Sequence, residues 1–330
     1  MNLIEASKYY NETHRYYHNL KHLQYILDVI HVLYQDSKIT SNEYNILIQA
    51  AIYHDIVYNP KRNDNEEKSI EFYLSIINSN FNNVSKTELK NIDKIVQIIN
   101  DTKHRNPPTD KLSKIFWEID NSILLSDFKT LLQYEDDIFK EYQFVSYQIY
   151  KEKRIEFLNS CLDIKYFQIN KDNILRLIDY INYRKIHIGL YAGSFAPLHI
   201  GHKNIYEKAE KIFDKVILLV GQNSDKAKND MNSIPSYFDF KQVEYLDPIG
   251  LTTDFIQNNI DNNVDISLIR GLRNGTDLQY EQNQLSYMKD FYPDLKVVYI
   301  TCDKEFEHIS SSAIRNINKI NPDLTKRYLI

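Results

Sequence analysis

Two histidines spaced three apart, His199 and His202, follow a glycine turn in a chain that has only seven glycines. The stretch from Ile188 reads IGLYAGSFAPLHIGH. Its apolar start predicts a buried strand, Gly193–Pro197 a turn, and the residues after His199 a helix. A strand that enters a helix through such a turn gathers main-chain N–H groups and the positive end of the helix dipole at one point. That point suits the phosphates of a nucleotide.

Three later segments add phosphate-binding side chains. Lys226 follows one predicted strand, two arginines beside a glycine follow the next, and a serine triplet opens a C-terminal helix. Arginine binds phosphate oxygens through paired hydrogen bonds, and hydroxyls at a helix start form an anion site with the free N–H groups. We expect these segments to meet at the carboxyl ends of the strands. Besides Lys226, the residues are Arg270, Gly271, Arg273, Asp277, Glu281, Ser310, Ser311 and Ser312.

A second set of chemically active residues lies in the first half of the chain. His54 and Asp55 are adjacent near the end of an apolar stretch with helical spacing. A polar pair at such a place costs free energy unless protein partners or a metal satisfy it. Imidazole and carboxylate together suit a divalent transition metal (Mn, Fe, Co, Ni or Zn) or Mg²⁺. We therefore predict a metal site in the first half.

The apolar pattern divides the chain into two parts. Residues 1–184 show helical periodicity without a glycine. Later, apolar runs at 215–220, 265–269 and 296–300 alternate with helical stretches, which is typical of a doubly wound parallel sheet. We predict an all-α domain over 1–184 and an α/β domain over 187–330. Helical candidates after residue 60 in the first domain are 64–77, 86–99, 128–147, 151–160 and 170–183.

Composition limits the function classes. A formal net charge of −5 gives no general electrostatic reason for nucleic acid or membrane to be the partner, so phosphate binding must be local. The two cysteines are far apart and suit a reducing compartment. No apolar run approaches the ~20 residues of a membrane span. We expect a cytoplasmic protein that acts on small molecules.

The residues from Gly193 to His202 resemble the GxFxPxHxGH signature of the HIGH-motif nucleotidyltransferases. That resemblance implies a Rossmann-like domain that transfers a nucleotidyl group from ATP or CTP and releases pyrophosphate. Two later segments are similar to segments of phosphopantetheine adenylyltransferases. One is RGLR followed by Asp277 and a Tyr-Glu pair, and the other is ISSS. The resemblance to that family implies that ATP with Mg²⁺ and a phosphorylated acceptor are the substrates, and it allows a homo-oligomer.

The same resemblance implies roles for individual residues. Ser194 and His202 would touch the reacting phosphates, while Lys226 and Arg273 would assist. The RGLR and ISSS segments would hold ATP together with the turn and first helix of the signature. From the signature, the cofactor-binding residues would be Gly193, Phe195, His199 and Gly201.

The sequence departs from the phosphopantetheine adenylyltransferase pattern at several positions. Ala196 stands where that family usually has an acidic residue, and His199 where it usually has threonine. The stretch from Lys226 to Leu251 is short, and 258–263 is an insertion. The PxHxGH form and Ser312–Arg315 resemble nicotinate or nicotinamide mononucleotide adenylyltransferases instead. Both acceptor classes therefore stay open.

The first half resembles the HD superfamily of metal-dependent phosphohydrolases. The order of a histidine, a His-Asp pair and a distant aspartate carries that resemblance, together with Tyr17-His18 and the segment DNEEKS at 64–69. It implies that His22, His54, Asp55 and Asp120 are metal ligands. It also suggests a second metal or a phosphate at His18, His104 and Arg15. Two alternatives to the transferase stay open: the HD half is the active hydrolase and the other half only binds nucleotide, or the protein is a non-catalytic sensor.

Overall fold

The computed structural model describes residues 3–80, 85–221 and 234–330. The chain forms two compact units, one of Met1–Tyr142 and Tyr150–Ile181, the other of Gln143–Ile149 and Asn182–Ile330. The sequence assigned 143–149 to the first domain. In the structure the buried Lys215 Nζ donates to the main-chain carbonyls of Gln143 and Val145, which joins this segment to the second unit.

The described residues before 184 form α-helices and short 3₁₀ turns, in agreement with the helical periodicity. The helices are α1 (Leu3–Tyr10), α2 (Leu20–Gln35), α3 (Ser41–Tyr53), α4 (Asn65–Asn80), α5 (Lys86–Thr102), α6 (Lys111–Asp120), α7 (Phe128–Glu141), α8 (Tyr147–Leu162) and α9 (Lys171–Tyr183). Their core contains fully buried side chains such as Leu23, Leu47, Ile99 and Phe116.

Side-chain caps fix where several of these helices begin. Thr40 and Ser85 form capping boxes with Glu43 and Glu88 at the starts of α3 and α5. Asp110 accepts hydrogen bonds from the N–H groups of residues 112 and 113 at the start of α6. The sequence interpretation did not include α1 or α6, although α6 ends at a predicted metal ligand.

The predicted helix over 128–147 is too long, because α7 ends at Glu141 and the next helix begins only at Tyr147. α7 ends at Glu141, and the N–H of Tyr142 bonds back to the carbonyls of Ile138 and Phe139 as a C-cap. α8 begins at Tyr147, where the hydroxyl of Ser146 accepts from the N–H of residue 149. The helical pattern on both sides of this break is continuous, so periodicity alone does not reveal it.

The second unit contains a five-stranded, wholly parallel sheet of order β3-β2-β1-β4-β5. The strands are β1 (Ile186–Gly193), β2 (Lys215–Val220), β3 (Gln242–Tyr245), β4 (Val264–Leu272) and β5 (Val297–Thr301). The connecting and final helices are α10 (Ile200–Ala209), α11 (Thr252–Asn259), α12 (Gly275–Phe291) and α13 (Ser311–Ile320). This is the Rossmann-like arrangement predicted, with β3 as a strand that the sequence did not reveal.

Strand order explains where the signature lies. β1 is central and pairs with β2 on one side and β4 on the other, so its carboxyl end at Gly193 is beside those of both neighbours. In open parallel sheets, ligands bind at this edge, where the strand order reverses. Within the described residues, no helix is long and apolar enough to cross a membrane.

Candidate functional site

A cavity of about 480 Å³ lies at the carboxyl edge of the sheet. The cavity is lined by the turn after β1, the start of α10, the end of β4, the start of α12 and the start of α13. Every predicted site residue of the second unit lines it except Lys226, which lies outside the described residues. The predicted lining residues are Gly193, Ser194, Phe195, His199, Gly201, His202, Arg270, Gly271, Arg273, Asp277, Glu281, Ser310, Ser311 and Ser312.

The turn after β1 is tightly built. Phe195 has a left-handed backbone with φ of 42°, a conformation that costs a non-glycine residue of the order of 1 kcal/mol. A side chain at Gly193 would place its Cβ 3.0 Å from the ring of Phe195. Glycine at position 193 therefore lets the aromatic ring fold back over the end of β1. The glycine and phenylalanine of the signature are therefore explained by local steric packing.

The two signature histidines form a stacked pair at the start of α10. Their ring centroids are 3.6 Å apart, and the N–H of His199 lies 3.3 Å from Nδ1 of His202. Burial and the charge of Arg273 lower the pKa of His199 to about 4. Burial, His199 and Arg273 hold the pKa of His202 well below its ordinary value. Both rings are therefore neutral, and the remaining proton of His202 is on Nε2.

Each arginine of the RGLR segment is paired with a carboxylate from α12. The Nε and Nη2 atoms of Arg273 donate to Asp277 at 2.8 and 2.9 Å, and Arg270 Nε lies 3.1 Å from Glu281 Oε2. The hydrogen bonds to Asp277 raise the pKa of Arg273, and Arg273 lowers the pKa of Asp277 against the opposing effect of burial. These acids orient the arginines toward the cavity instead of acting as free ligands.

The start of α13 is fastened to the signature loop. Ser310 caps the helix by accepting from the N–H of residue 313, and Ser311 Oγ donates to the carbonyl of Pro197 at 3.1 Å. Arg315 donates to the carbonyl of Ala196 and, at 3.0 Å, to Ser312 Oγ. The serines therefore have protein partners as well as cavity-facing positions. The sequence did not predict that Arg315 links α13 to the signature loop. Its position on the second turn of α13, close to the serines, could have indicated this contact.

Comparison with known proteins fits this geometry. A family model described as cytidylyltransferase-like matches residues 190–317. A phosphopantetheine adenylyltransferase of Mycoplasma mycoides is 35% identical over 137 residues, which are 39% of this chain and 94% of that protein. One of Cytophaga hutchinsonii is 34% identical over 144 residues, 42% of this chain and 93% of that protein. The chain belongs to the phosphopantetheine adenylyltransferase family.

Membership of the phosphopantetheine adenylyltransferase family confirms the coarse prediction that the α/β half is a nucleotidyltransferase. The family model begins at residue 190 and so lies within the second unit. A relative from Leuconostoc mesenteroides, 34% identical over 143 residues, likewise covers only 41% of this chain. The helical first unit therefore has to be interpreted from its own geometry.

Three helix ends bring four predicted metal ligands together in the first unit. His22 is in the first turn of α2, His54 and Asp55 follow α3, and Asp120 ends α6. Ligand atoms of His22, His54 and Asp120 all lie within 4.8 Å of one another. Asp55 Oδ2 is 3.1 Å from Nε2 of His54 and 4.0 Å from Nε2 of His22.

The separations in this group suit a shared ion. Asp120 Oδ1 lies 3.1 Å from His22 Nε2 and 3.7 Å from His54 Nε2. Ligands that each lie about 2.0–2.2 Å from one metal are about 3–4 Å from their neighbours. His22, His54 and Asp120 thus form a group of the size that one ion would need, and Asp55 lies beside its two histidines.

His54 provides the test of fit. Its Nδ1 lies 2.8 Å from the carbonyl of Ala51, which fixes the ring and leaves Nε2 for another partner. Nε2 is buried and, within the described residues, has no hydrogen-bond partner of acceptable geometry. Burial opposes a charge on the ring, yet Asp55 and Asp120 raise the pKa of His54 to about 9. The site is therefore arranged to stabilise positive charge at this atom.

The three remaining predicted residues of the first unit have different locations. The prediction that Arg15 binds a phosphate is wrong. Its side chain is fully buried and donates to the carbonyls of His18, Asp55 and Ile56, so it is not available to a phosphate. His104 is exposed after α5 and is not part of the ligand group found among the described residues. His18 is near the group, with its ring centroid 6.0 Å from that of His22.

Proposed function

We propose that the second unit transfers AMP from ATP to 4′-phosphopantetheine, giving dephospho-CoA and pyrophosphate. The observation that carries this proposal is the match to relatives named phosphopantetheine adenylyltransferase over more than nine-tenths of their length. The cavity at the carboxyl edge of the sheet supports it, because its lining combines neutral imidazoles, guanidinium groups and a helix start. The acceptor has a phosphate, so it can attack without a covalent enzyme intermediate.

In this mechanism an oxygen of the acceptor phosphate attacks the α-phosphorus of ATP in line with the departing pyrophosphate. The bond from the α-phosphorus to the bridging oxygen breaks as the new one forms. His202 donates Nε2–H to the α-phosphate as charge develops, and Ser194 and Lys226 align the acceptor. The enzyme contributes position and charge stabilisation, since no proton has to be removed from the nucleophile.

Arg273 and the start of α13 bind the triphosphate, with His199 and Arg270 beside them. The carboxylates among the described lining residues, Asp277 and Glu281, are already paired with arginines. Mg²⁺ therefore enters as part of the ATP substrate, held by the phosphates themselves.

A second acceptor class has specific support. His199 in the PxHxGH segment and Arg315 beside Ser312 follow the pattern of mononucleotide adenylyltransferases, and Arg315 contacts the signature loop. The test follows pyrophosphate release from MgATP with 4′-phosphopantetheine, nicotinamide mononucleotide and nicotinate mononucleotide in parallel. Turnover with phosphopantetheine alone supports our proposal. Turnover with a mononucleotide alone would replace it.

We also propose that the first unit is an HD-type domain that holds one divalent metal and hydrolyses a phosphate ester. His22, His54, Asp55 and Asp120 would be the ligands. The main support is the grouping of His22, His54 and Asp120, together with the buried Nε2 of His54, which makes no hydrogen bond of acceptable geometry among the described residues. When bound, such an ion polarises a phosphoryl oxygen and lowers the pKa of a water. Ala51 and the helix ends of α2, α3 and α6 hold the ligands in place.

Titration calorimetry of the full-length protein with Mn²⁺ tests the metal site directly. We expect one strong site that is lost in His54→Ala and Asp120→Ala and kept in His31→Ala, a histidine of α2 that lies 3.0 Å from Gln35. Unchanged Mn²⁺ binding in both ligand variants would refute the assignment. Phosphate release that survives His202→Ala but not Asp55→Ala would establish the hydrolase, and turnover of neither reaction would favour a sensor.

A further inference from the structure

Glu141 is a buried carboxylate that the sequence did not single out. It ends α7 and its side chain has no solvent exposure. Oε1 accepts from three consecutive main-chain N–H groups, those of Tyr16, Tyr17 and His18, at 2.8, 2.8 and 2.9 Å. Oε2 is 2.7 Å from both Nδ1 of His18 and the hydroxyl of Tyr58. Five donors therefore surround one carboxylate.

These contacts fix the loop before α2 from one side, and Arg15 fixes it from the other. The guanidinium of Arg15 joins the carbonyl of His18 to the carbonyls of Asp55 and Ile56. The segment that carries His18 is thus fastened to the same chain segment that provides two of the proposed metal ligands. A side chain held on both sides is preorganised for a ligand, because little ordering remains to be done on binding.

The ring of His18 is held in one orientation. It stacks on Tyr58 with centroids 4.3 Å apart and meets the edge of Tyr17 at 5.0 Å. Because Nδ1 is engaged by Glu141, Nε2 is the atom left for a ligand.

Exposure separates His18 from the two histidines of the proposed metal site. The side chains of His22 and His54 are 5% and 1% exposed, whereas that of His18 is 24% exposed. Ligand atoms of His22, His54 and Asp120 lie within 4.8 Å of one another, and among the described residues that group does not include His18. His18 is therefore more accessible than either of these histidines, and its ring lies beside that of His22.

We propose that Glu141 is a positioning residue that holds His18 as an anion-binding group, so that Nε2 of His18 bonds an oxygen of a phosphate bound at the metal cluster. The inference rests on the proposed metal site. It extends that proposal by naming the residue that recognises the phosphate group and the residue that positions it. A carboxylate that fixes an imidazole on its far nitrogen acts in the same way as the outer partner of a metal-binding histidine.

The experiment measures binding of inorganic phosphate by calorimetry to the full-length protein saturated with Mn²⁺. His18→Ala is expected to weaken phosphate about 10- to 100-fold, the loss expected for one hydrogen bond to a charged group, while Mn²⁺ affinity stays the same. His18→Gln retains an N–H at similar reach and is expected to recover part of the affinity. His31→Ala, which removes a histidine of α2 outside the proposed site, is the control and should match the natural chain.

Two further variants test the positioning role. Tyr58→Phe removes one of five donors to Glu141 with little change of shape, and Glu141→Gln removes the charge. Both are expected to weaken phosphate without changing Mn²⁺ affinity, and Tyr58→Phe serves if Glu141→Gln does not fold. The ring-nitrogen NMR signals of His18 should shift when phosphate is added to the Mg²⁺-loaded natural chain.

The outcomes distinguish the two proposals. Mn²⁺ binding with unchanged phosphate affinity in His18→Ala overturns this inference and leaves the metal site standing. Loss of Mn²⁺ affinity in His18→Ala also overturns it, because His18 would then be a ligand. Absence of Mn²⁺ binding by the natural chain overturns both the metal site and the inference.

Discussion

The depressed pKa of His202 makes a specific prediction about pH. Burial, the neighbouring His199 and the charge of Arg273 all disfavour its protonated form. His202 should therefore be the same neutral Nε2–H donor between about pH 6 and pH 9. An imidazole with an ordinary pKa of 6.5 would instead be about 76% protonated at pH 6 and about 3% at pH 8. A rate that needed its neutral form would then rise about fourfold across that interval.

The size of the effect of removing His202 follows from its role. One donor aimed at charge that develops in the transition state contributes about 10²–10³ to kcat, or about 3–4 kcal/mol. His202→Ala should lose that amount. His202→Gln should lose less, because its amide N–H reaches about as far as Nε2–H. His202→Asn should resemble alanine, since its amide corresponds in reach to Nδ1.

The assay is initial-rate pyrophosphate release at saturating MgATP across this pH range. The acceptor phosphate itself titrates near pH 6, so the informative quantity is the ratio of natural to His202→Gln rates at each pH. We expect a constant ratio. A fourfold change centred near pH 6.5 would show that His202 titrates normally and would refute the reasoning. Normal turnover by His202→Ala would refute its catalytic role.

Three further predictions concern stability and the cavity. Burial, with a smaller effect of Lys241, lowers the pKa of Lys215 to about 7. Between about pH 7 and pH 10.5 the unfolded chain therefore binds one proton more than the folded chain. The free energy of unfolding rises with pH across that window by at most about 5 kcal/mol. Urea denaturation of Lys215→Met should show a smaller rise. Ser310→Ala should cost about 1 kcal/mol by thermal melting and raise the KM for ATP, because the cap of α13 is lost. Gly271→Ala would place a Cβ 3.1 Å from Ile205, so ATP affinity should fall in a binding titration.

Each of these has a contradicting result. An unchanged pH slope in Lys215→Met would mean that the lysine is charged in the folded protein. A stability loss in Ser310→Ala without any change of KM would separate the cap from ATP binding. Normal ATP affinity in Gly271→Ala would mean that the neighbouring side chain yields without narrowing the cavity.

The position of the α/β cavity could be predicted because part of its lining is local in sequence. Gly193, whose lack of a side chain makes room for Phe195, and the histidine pair at the start of α10 all occur within ten residues. Strand order then brought the RGLR and ISSS segments to the same edge, as the rule for parallel sheets requires. The short strand β3 was missed because its four residues contain no continuous apolar run.

The helical half was predictable at the level of ligand types but less so at the level of contacts. Glu141 escaped notice because its partners, three main-chain N–H groups, His18 and Tyr58, are all more than 80 residues earlier in the chain, and no local pattern marks it. Arg15 was misjudged because a sequence does not reveal whether a guanidinium meets a phosphate or three main-chain carbonyls. The break after α7 depends on caps and on these same long-range contacts, which periodicity does not contain.

The ligands of the proposed metal site come from the ends of three helices, and two of them, His22 and Asp120, are 98 residues apart in the chain. An ion that joins them would act as a cross-link that exists only after α2, α3 and α6 have docked. Its binding free energy would therefore add to the folding free energy of the helical unit. A chelator should lower the melting temperature of that unit, so metal occupancy would be visible in calorimetry before any substrate is known.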